Sequence, residues 1–320
     1  MLGSLALPPL AAISSARSLG GHLSPSAEIK ITVYCLVAAA VLAGFVSLQG
    51  RIATWLAQES GEQASFLDSL PSAFLPLAIP AVAGLSLFLE LAVIRWQASV
   101  FEFFAFYKNF SLLACFAGLG IGYAMSRNRE GVPLCLAIPL LAWQFALLIF
   151  LRRGMPHGQS YSLEMIPFRE QLNMGLPQIK SVQFVAIYLL LIAVFILTVL
   201  AFLPIGQLCG RLMERTKQLK AYGLNLLGSV TGVSFMVFIS YFWTPPLVWF
   251  GIRFLVLIFF VVRSQKSLLF AVTAAVLALL ILAWPVNPLW HSVYSPYQLL
   301  EIAYGESGLL RIHAAGHYYQ

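Results

Sequence analysis

The chain has 320 residues, of which 60% are apolar and only 10% are charged, and its formal net charge is +7. A soluble domain carries about 25% charged residues, so a single water-soluble core cannot bury this composition and lipid must cover part of it. Lys and Arg fall between apolar runs and form no basic stripe interleaved with aromatics; this argues against nucleic acid as a partner and reads as lipid-headgroup contact and topology signal.

Residues 1–30 are rich in Ala, Ser, Pro and Leu, with Arg17 and Lys30, and lack the charged-then-apolar layout of a cleaved signal. They are expected to be a disordered leader. Apolar runs follow at 31–49, 72–94, 104–125, 132–151, 181–203, 221–243, 246–262 and 267–284, each long enough, or nearly so, to span ~30 Å of hydrocarbon as a helix. None alternates with the period of two that a membrane β-strand requires. The expected fold class is therefore an all-α integral membrane protein with about eight transmembrane helices, occupying 31–285, in the inner (plasma) membrane.

The connections differ. Residues 51–71 carry Glu59, Glu62 and Asp68 and read as a loop. The longest connection is 154–180, where Phe168, Leu172 and Met174 could share the face of a short interfacial helix over 167–176. Thr244–Pro245 is a tight break that pairs the sixth and seventh helices as a hairpin. One side would carry Arg51, Arg127, Arg129, Arg211, Arg215, Lys217, Lys220, Arg263 and Lys266. The other would carry Arg17, Lys30, Arg95, Arg152, Arg153, Arg169, Lys180 and Arg311, so the positive-inside rule is nearly tied. The dense cluster at 210–220 favours that loop in the cytoplasm, which would put the C-terminus outside.

After Trp284 the character changes. Pro285, Pro288 and Pro296 punctuate an exit segment, and 298–303 and 309–314 flank a Gly305-Glu306-Ser307-Gly308 turn, the pattern of a short β-hairpin. Residues 286–320 are accordingly expected to be a linker and the start of a second, β domain, cut short just inside it.

Residues that could carry chemistry are few. Cys35, Cys115, Cys135 and Cys209 are scattered in or beside apolar runs, as small hydrophobes would be. His157, His291, His313 and His317 lack metal-ligand spacing on a helix face, so no metal and no cofactor is expected. Gly118 and Gly122, like Gly228 and Gly232, stand one helical turn apart and predict close helix packing. Gly118-Leu-Gly-Ile-Gly122 follows no strand and is not a dinucleotide loop. Asn225 is expected to hydrogen-bond between helices. Pro80 and Pro139 lie within spans and read as kinks. Glu90, Lys108 and Arg253 are the ionisable residues set furthest into apolar runs, with Arg95 nearby. Two arrangements suit them: snorkelling of Lys108 and Arg253 with Glu90 paired to Arg95, or an inter-helix cluster of Glu90 with Arg253 or Lys108.

Three segments, taken in order, resemble the membrane-anchored spermidine synthase-like proteins. They are Gly84-Leu-Ser-Leu-Phe-Leu-Glu90 continuing to Arg95, Tyr222-Gly-Leu-Asn225-Leu-Leu-Gly228 continuing to Gly232, and Ser295-Pro-Tyr297-Gln298 followed by Gly316-His-Tyr-Tyr-Gln320. In that family a helical membrane region precedes an aminopropyltransferase domain of methyltransferase-like fold. The resemblance implies that 286–320 opens the synthase domain, with Gln320 beside the substrate pocket. It implies transfer of an aminopropyl group from decarboxylated S-adenosylmethionine to a polyamine. The family's Gly-rich donor loop and acidic catalytic residues have no counterpart, and the only aspartate is Asp68, so no catalytic residue is assigned to this chain. The expected function is a membrane-embedded anchor or regulatory domain of such a protein, partnered by the bilayer and a C-terminal catalytic domain. The alternative is a small-molecule transporter or binding protein with a polar cavity among its helices.

Overall fold

The computed structural model describes residues 25–101, 104, 108–127, 131–154, 181–261, 264–284, 290–296, 299–304, 310–314 and 317–319. The expected interfacial helix at 167–176, the turn at 305–308 and Gln320 lie outside them, as does the side chain of Lys108. The described α-helices are α1 (Pro25–Ser69), α2 (Leu75–Val100), α3 (Lys108–Ala124), α4 (Ala137–Gly154), α5 (Ser181–Glu214), α6 (Gln218–Tyr241), α7 (Pro246–Val261) and α8 (Gln265–Ala283). Among the described residues, five helical segments are long and apolar enough to cross a membrane: Ser72–Val100, Leu134–Leu151, Tyr188–Glu214, Gln218–Tyr241 and Gln265–Ala283. Within α1, Cys35–Gly44 and Val46–Ser69 meet at a 50° bend and would together make a sixth span; Asn109–Ala124 and Pro246–Val261 are shorter apolar helices.

Two expectations change in α1. The helix starts at Pro25, inside the expected leader, and the expected loop at 51–71 is helical to Ser69. Nothing between Ala27 and Leu70 is proline, and Ala, Leu, Gln and Glu dominate after Arg51; these are strong helix formers, and Pro71 then stops the run. The polar residues of this stretch are packed: Glu59 is buried and accepts from Ser264 Oγ at 2.9 Å, Ser267 Oγ at 2.6 Å and Trp55 Nε1 at 3.1 Å.

Helix pairs follow from residue contacts. Gly118 and Gly122 of α3, and Ser126 just beyond its end, meet Val199, Leu203 and Gly210 of α5 in rising order, so these helices run parallel. Pro80, Gly84 and Phe88 of α2 meet Gly228, Gly232 and Phe235 of α6 in the same way. α7 runs antiparallel to α2, with Arg253 at Phe88 and Trp249 at Arg95. Trp96, Phe145 and Phe250 knit α2, α4 and α7, with ring centroids 4.5 Å apart for Trp96–Phe145 and 4.6 Å for Phe145–Phe250. Outside this core, α6 and α8 expose Leu226, Val230, Val237, Leu269, Val276 and Leu280. Such a continuous apolar face suits hydrocarbon rather than water.

The C-terminal segment is a four-stranded antiparallel meander, β1 (His291–Tyr294), β2 (Leu299–Tyr304), β3 (Leu310–Ala314) and β4 (His317–Tyr319), in the order β1-β2-β3-β4. The expected hairpin is its centre, with Ile302 opposite Ile312. β1 pairs through Ser292 and Glu301, and β4 through His313 and Tyr318. The outer strands are too short for alternation to show in sequence, and they supply the extra pairing a lone hairpin lacks.

Candidate functional site

The sheet meets the bundle at Arg95, close to the C-terminal end of α2. One guanidinium Nη donates to Ser240 Oγ at the end of α6, and the other to the Ser295 carbonyl just after β1. The guanidinium carbon stands 4.4 Å from the centroid of Trp249 on α7. Trp249 meets the Tyr294 ring edge-on at 5.9 Å and 82°. One cation thus joins α2, α6, α7 and β1, using planar donors and a π-face together.

Local chain geometry sets this up. Trp243 adopts φ 57°, a left-handed conformation unusual for a bulky residue, which ends α6 sharply. Thr244 Oγ1 donates to the Ile239 carbonyl at 3.0 Å and accepts from Trp249 Nε1 at 2.8 Å. The turn therefore orients the indole under Arg95. Burial, with the charge of Glu301, pushes the Tyr294 phenol from 10.0 up to about 12, while Arg95 pulls the other way. A phenol with a raised folded value keeps its stabilising contribution below about pH 10 and loses it as pH rises towards about 12. Tyr294→Phe should remove that segment of the alkaline unfolding curve, followed by circular dichroism; a curve identical to wild type would contradict the phenol's burial.

The opposite end of the bundle is held by different groups. Arg211 clasps Asp68 through Nε–Oδ1 at 3.1 Å and Nη2–Oδ2 at 2.7 Å. Arg215 donates to the carbonyls of Leu67 and Leu70, closing the C-terminal end of α1. Two cations of the dense 210–220 cluster are therefore committed to packing, which weakens that cluster as a topology signal.

A buried polar seam crosses the interior. Gln97 on α2 accepts from Ser111 on α3 and donates to Thr198 on α5 at 3.4 Å; Gln144 on α4 donates to the same hydroxyl at 2.8 Å. All four residues are buried. Glu90, one helical repeat before Gln97 on α2, is 1% exposed.

Gly118 and Gly122 face α5, where a Cβ at Gly118 would stand 2.8 Å from Phe202 Cβ and one at Gly122 2.6 Å from Gln207 N. Gly228 and Gly232 face α2, a Cβ at each lying 2.5 Å from Pro80 Cα and 2.8 Å from Gly84 Cα respectively. Asn225 Oδ1 accepts from Tyr123 Oη on α3 at 3.4 Å and from Cys209 Sγ on α5 at 3.5 Å.

The structure does not gather Glu90, Arg95 and Arg253 into one charge cluster. Among the described residues no ion pair joins Glu90 to Arg253 or to Arg95, and Glu90 Oε2 and Arg253 Nε are buried without hydrogen bonds. Arg253 does not snorkel either; its guanidinium lies 3.3 Å from the Phe88 centroid. Phe88 and Glu90 are two positions apart, roughly 200° around a helix, so Arg253 and Glu90 flank opposite faces of α2. Counting residues from span ends gives depth but not azimuth. Sequence reading also missed Ser240, Trp249, Tyr294 and the Gln97–Gln144 seam; a lone Gln144 in mid-run was the available signal.

Set against family models, curated proteins and solved structures, the chain matches none of them. The Arg95 clamp and the interior seam therefore stand on their geometry alone.

Proposed function

We propose that the chain is the membrane-embedded anchor of a spermidine synthase-like protein, crossing the inner membrane eight times and holding the sheet, and a catalytic domain continuous with it, against one end of the bundle. The observation that carries the anchor reading is the Arg95 clamp from α2, α6 and α7 onto β1. The aminopropyltransferase part rests on resemblance, and it draws support from the way the three resembling segments touch. Gly84 packs on Gly228 and Gly232, and Arg95 holds Ser295. Any reaction would be aminopropyl transfer to a polyamine, with Gln320 near the substrate; this chain's own residues position the sheet. Eight crossings require α3 and α7, of 17 and 16 residues, to span with ~25 Å of helix, which local thinning of the bilayer accommodates. The second reading, a transporter or small-molecule binding protein, draws on the buried Gln97–Gln144 seam.

Reporters fused before Met1 and after Gln320 test both points. An even number of crossings puts the two on one side of the membrane, and a cytosolic aminopropyl donor demands cytosolic fluorescence after Gln320. Alkaline phosphatase activity there instead would remove the aminopropyl reading, and reporters on opposite sides would remove eight crossings.

A further inference from the structure

Two helices end in exposed aromatics where the bundle carries the sheet. α6 closes on Tyr241, with Phe242 and Trp243 directly after it, and α8 is followed by Trp284; all four side chains are more than half exposed. α8 reaches this end because Leu279, near its close, lies beside Gly251 of α7, two positions from the Trp249 that backs Arg95. α4 starts beside Gln63 at the opposite end and closes here on Arg152 and Arg153. The apolar outer faces of α6 and α8 run straight into these aromatics. At the other end of α6, exposed Tyr222 stands nineteen positions before Tyr241, with Lys217 and Lys220 beyond it. That separation is ~29 Å of helix, close to the ~30 Å of a hydrocarbon layer. Trp243 also holds its left-handed φ of 57°, which costs any residue with a Cβ. Among the described residues its indole has no hydrogen bond and no ring contact, so nothing there offsets that cost.

We propose that Tyr241, Trp243 and Trp284 form a collar that binds the headgroup layer of the membrane and levels the sheet end of the bundle at the lipid surface. Glycerophospholipid ester and phosphate oxygens accept from the Trp243 indole N–H, the donor that the chain leaves without a partner. Indole and phenol are apolar bodies with one polar edge, so they gain most where hydrocarbon meets water. Contact with lipid there offsets the strained backbone of Trp243. Lys217 and Lys220 mark the second headgroup layer at the other end of α6. Arg95 bonds Ser240, the neighbour of Tyr241, so the clamp lies at the level of the collar and β1 starts at the membrane surface. The bilayer then fixes, together with the guanidinium, how the sheet stands on the bundle. The inference rests on the bundle spanning a membrane and is independent of aminopropyl transfer.

Fluorescence quenching of the full chain tests it, in liposomes of phosphatidylcholine brominated either high on the acyl chain or near its tip. The emission of Trp243 is what Trp243→Phe removes, and that of Trp284 is what Trp284→Phe removes. Each should be quenched about twofold more by the high bromines than by the low ones. The emission added by Val230→Trp, on the exposed face near the middle of α6, should show the reverse order. If Val230→Trp escapes quenching in both lipids, the membrane-spanning reading falls and the collar with it. Quenching at Val230→Trp with none at Trp243 and Trp284 would overturn the collar alone, since water or a second copy of the chain then covers it. High bromines giving no advantage at Trp243, or the same advantage at Val230→Trp, would overturn its level. Should Trp243→Phe fail to fold, judged by elution from a sizing column, Trp284→Phe decides alone.

Discussion

Arg95→Ala should release the C-terminal sheet from the bundle. The substitution removes two charge-assisted hydrogen bonds, each worth about 1.5–3 kcal/mol, and the stack on Trp249, worth ~1 kcal/mol when partly desolvated. It also leaves the buried Ser295 carbonyl without its guanidinium donor. Limited proteolysis in detergent should cut after Trp290 at least tenfold faster than in wild type, a factor that ~1.4 kcal/mol already supplies. The helical core should remain intact, since α2 keeps its packing on α6 through Gly84, Gly228 and Gly232. Arg95→Lys keeps the charge but cannot reach Ser240 and Ser295 in one plane, so its cleavage rate should fall between the two. Cleavage of Arg95→Ala at the wild-type rate would mean that the sheet is held elsewhere, and the anchor reading would lose its support.

The largest effect inside the bundle should come from Gly228→Ala. An added methyl would stand 2.5 Å from Pro80 Cα and 2.8 Å from Pro80 C. The obstacle is backbone, so no rotamer change relieves it and α2 and α6 must move apart. Overpacking costs typically 1–3 kcal/mol, and separating two helices should reach the top of that range. Gly223→Ala, on the same helix, meets nothing within 4 Å; it should stabilise by up to about 1 kcal/mol, the usual gain from replacing a helical glycine. Thermal unfolding in detergent distinguishes them. Equal shifts at the two positions would show that α2 and α6 do not pack through Gly228.

Both expectations trace back to features that differ in how far the sequence reveals them. Four glycines at one-turn spacing announced close packing, because a missing Cβ in an apolar helix has few other uses. Which helices they join was not legible: α3 with α5 and α6 with α2 follow from how the bundle closes, not from any local pattern. The long polar stretch after Arg51 reads as a loop because isolated charges call for water. The folded chain instead buries Glu59 against Ser264 and Ser267, some two hundred positions away, and no window of sequence contains both partners.

By itself the sequence determined the apolar helical character and the change to strands after Trp284, because hydropathy and turn chemistry are local properties. It also marked the four glycines, Glu90, Arg95 and Arg253 as residues out of keeping with plain hydrocarbon spans. Only the tertiary structure decided the azimuth of each helix. That rotation puts Arg253 on Phe88, at the face of α2 opposite Glu90, and it brings Ser240, Trp249 and Ser295 around one guanidinium. A helix places a side chain every 100°, so a residue's depth can be counted from the end of a span, whereas its neighbours depend on which helix stands beside it.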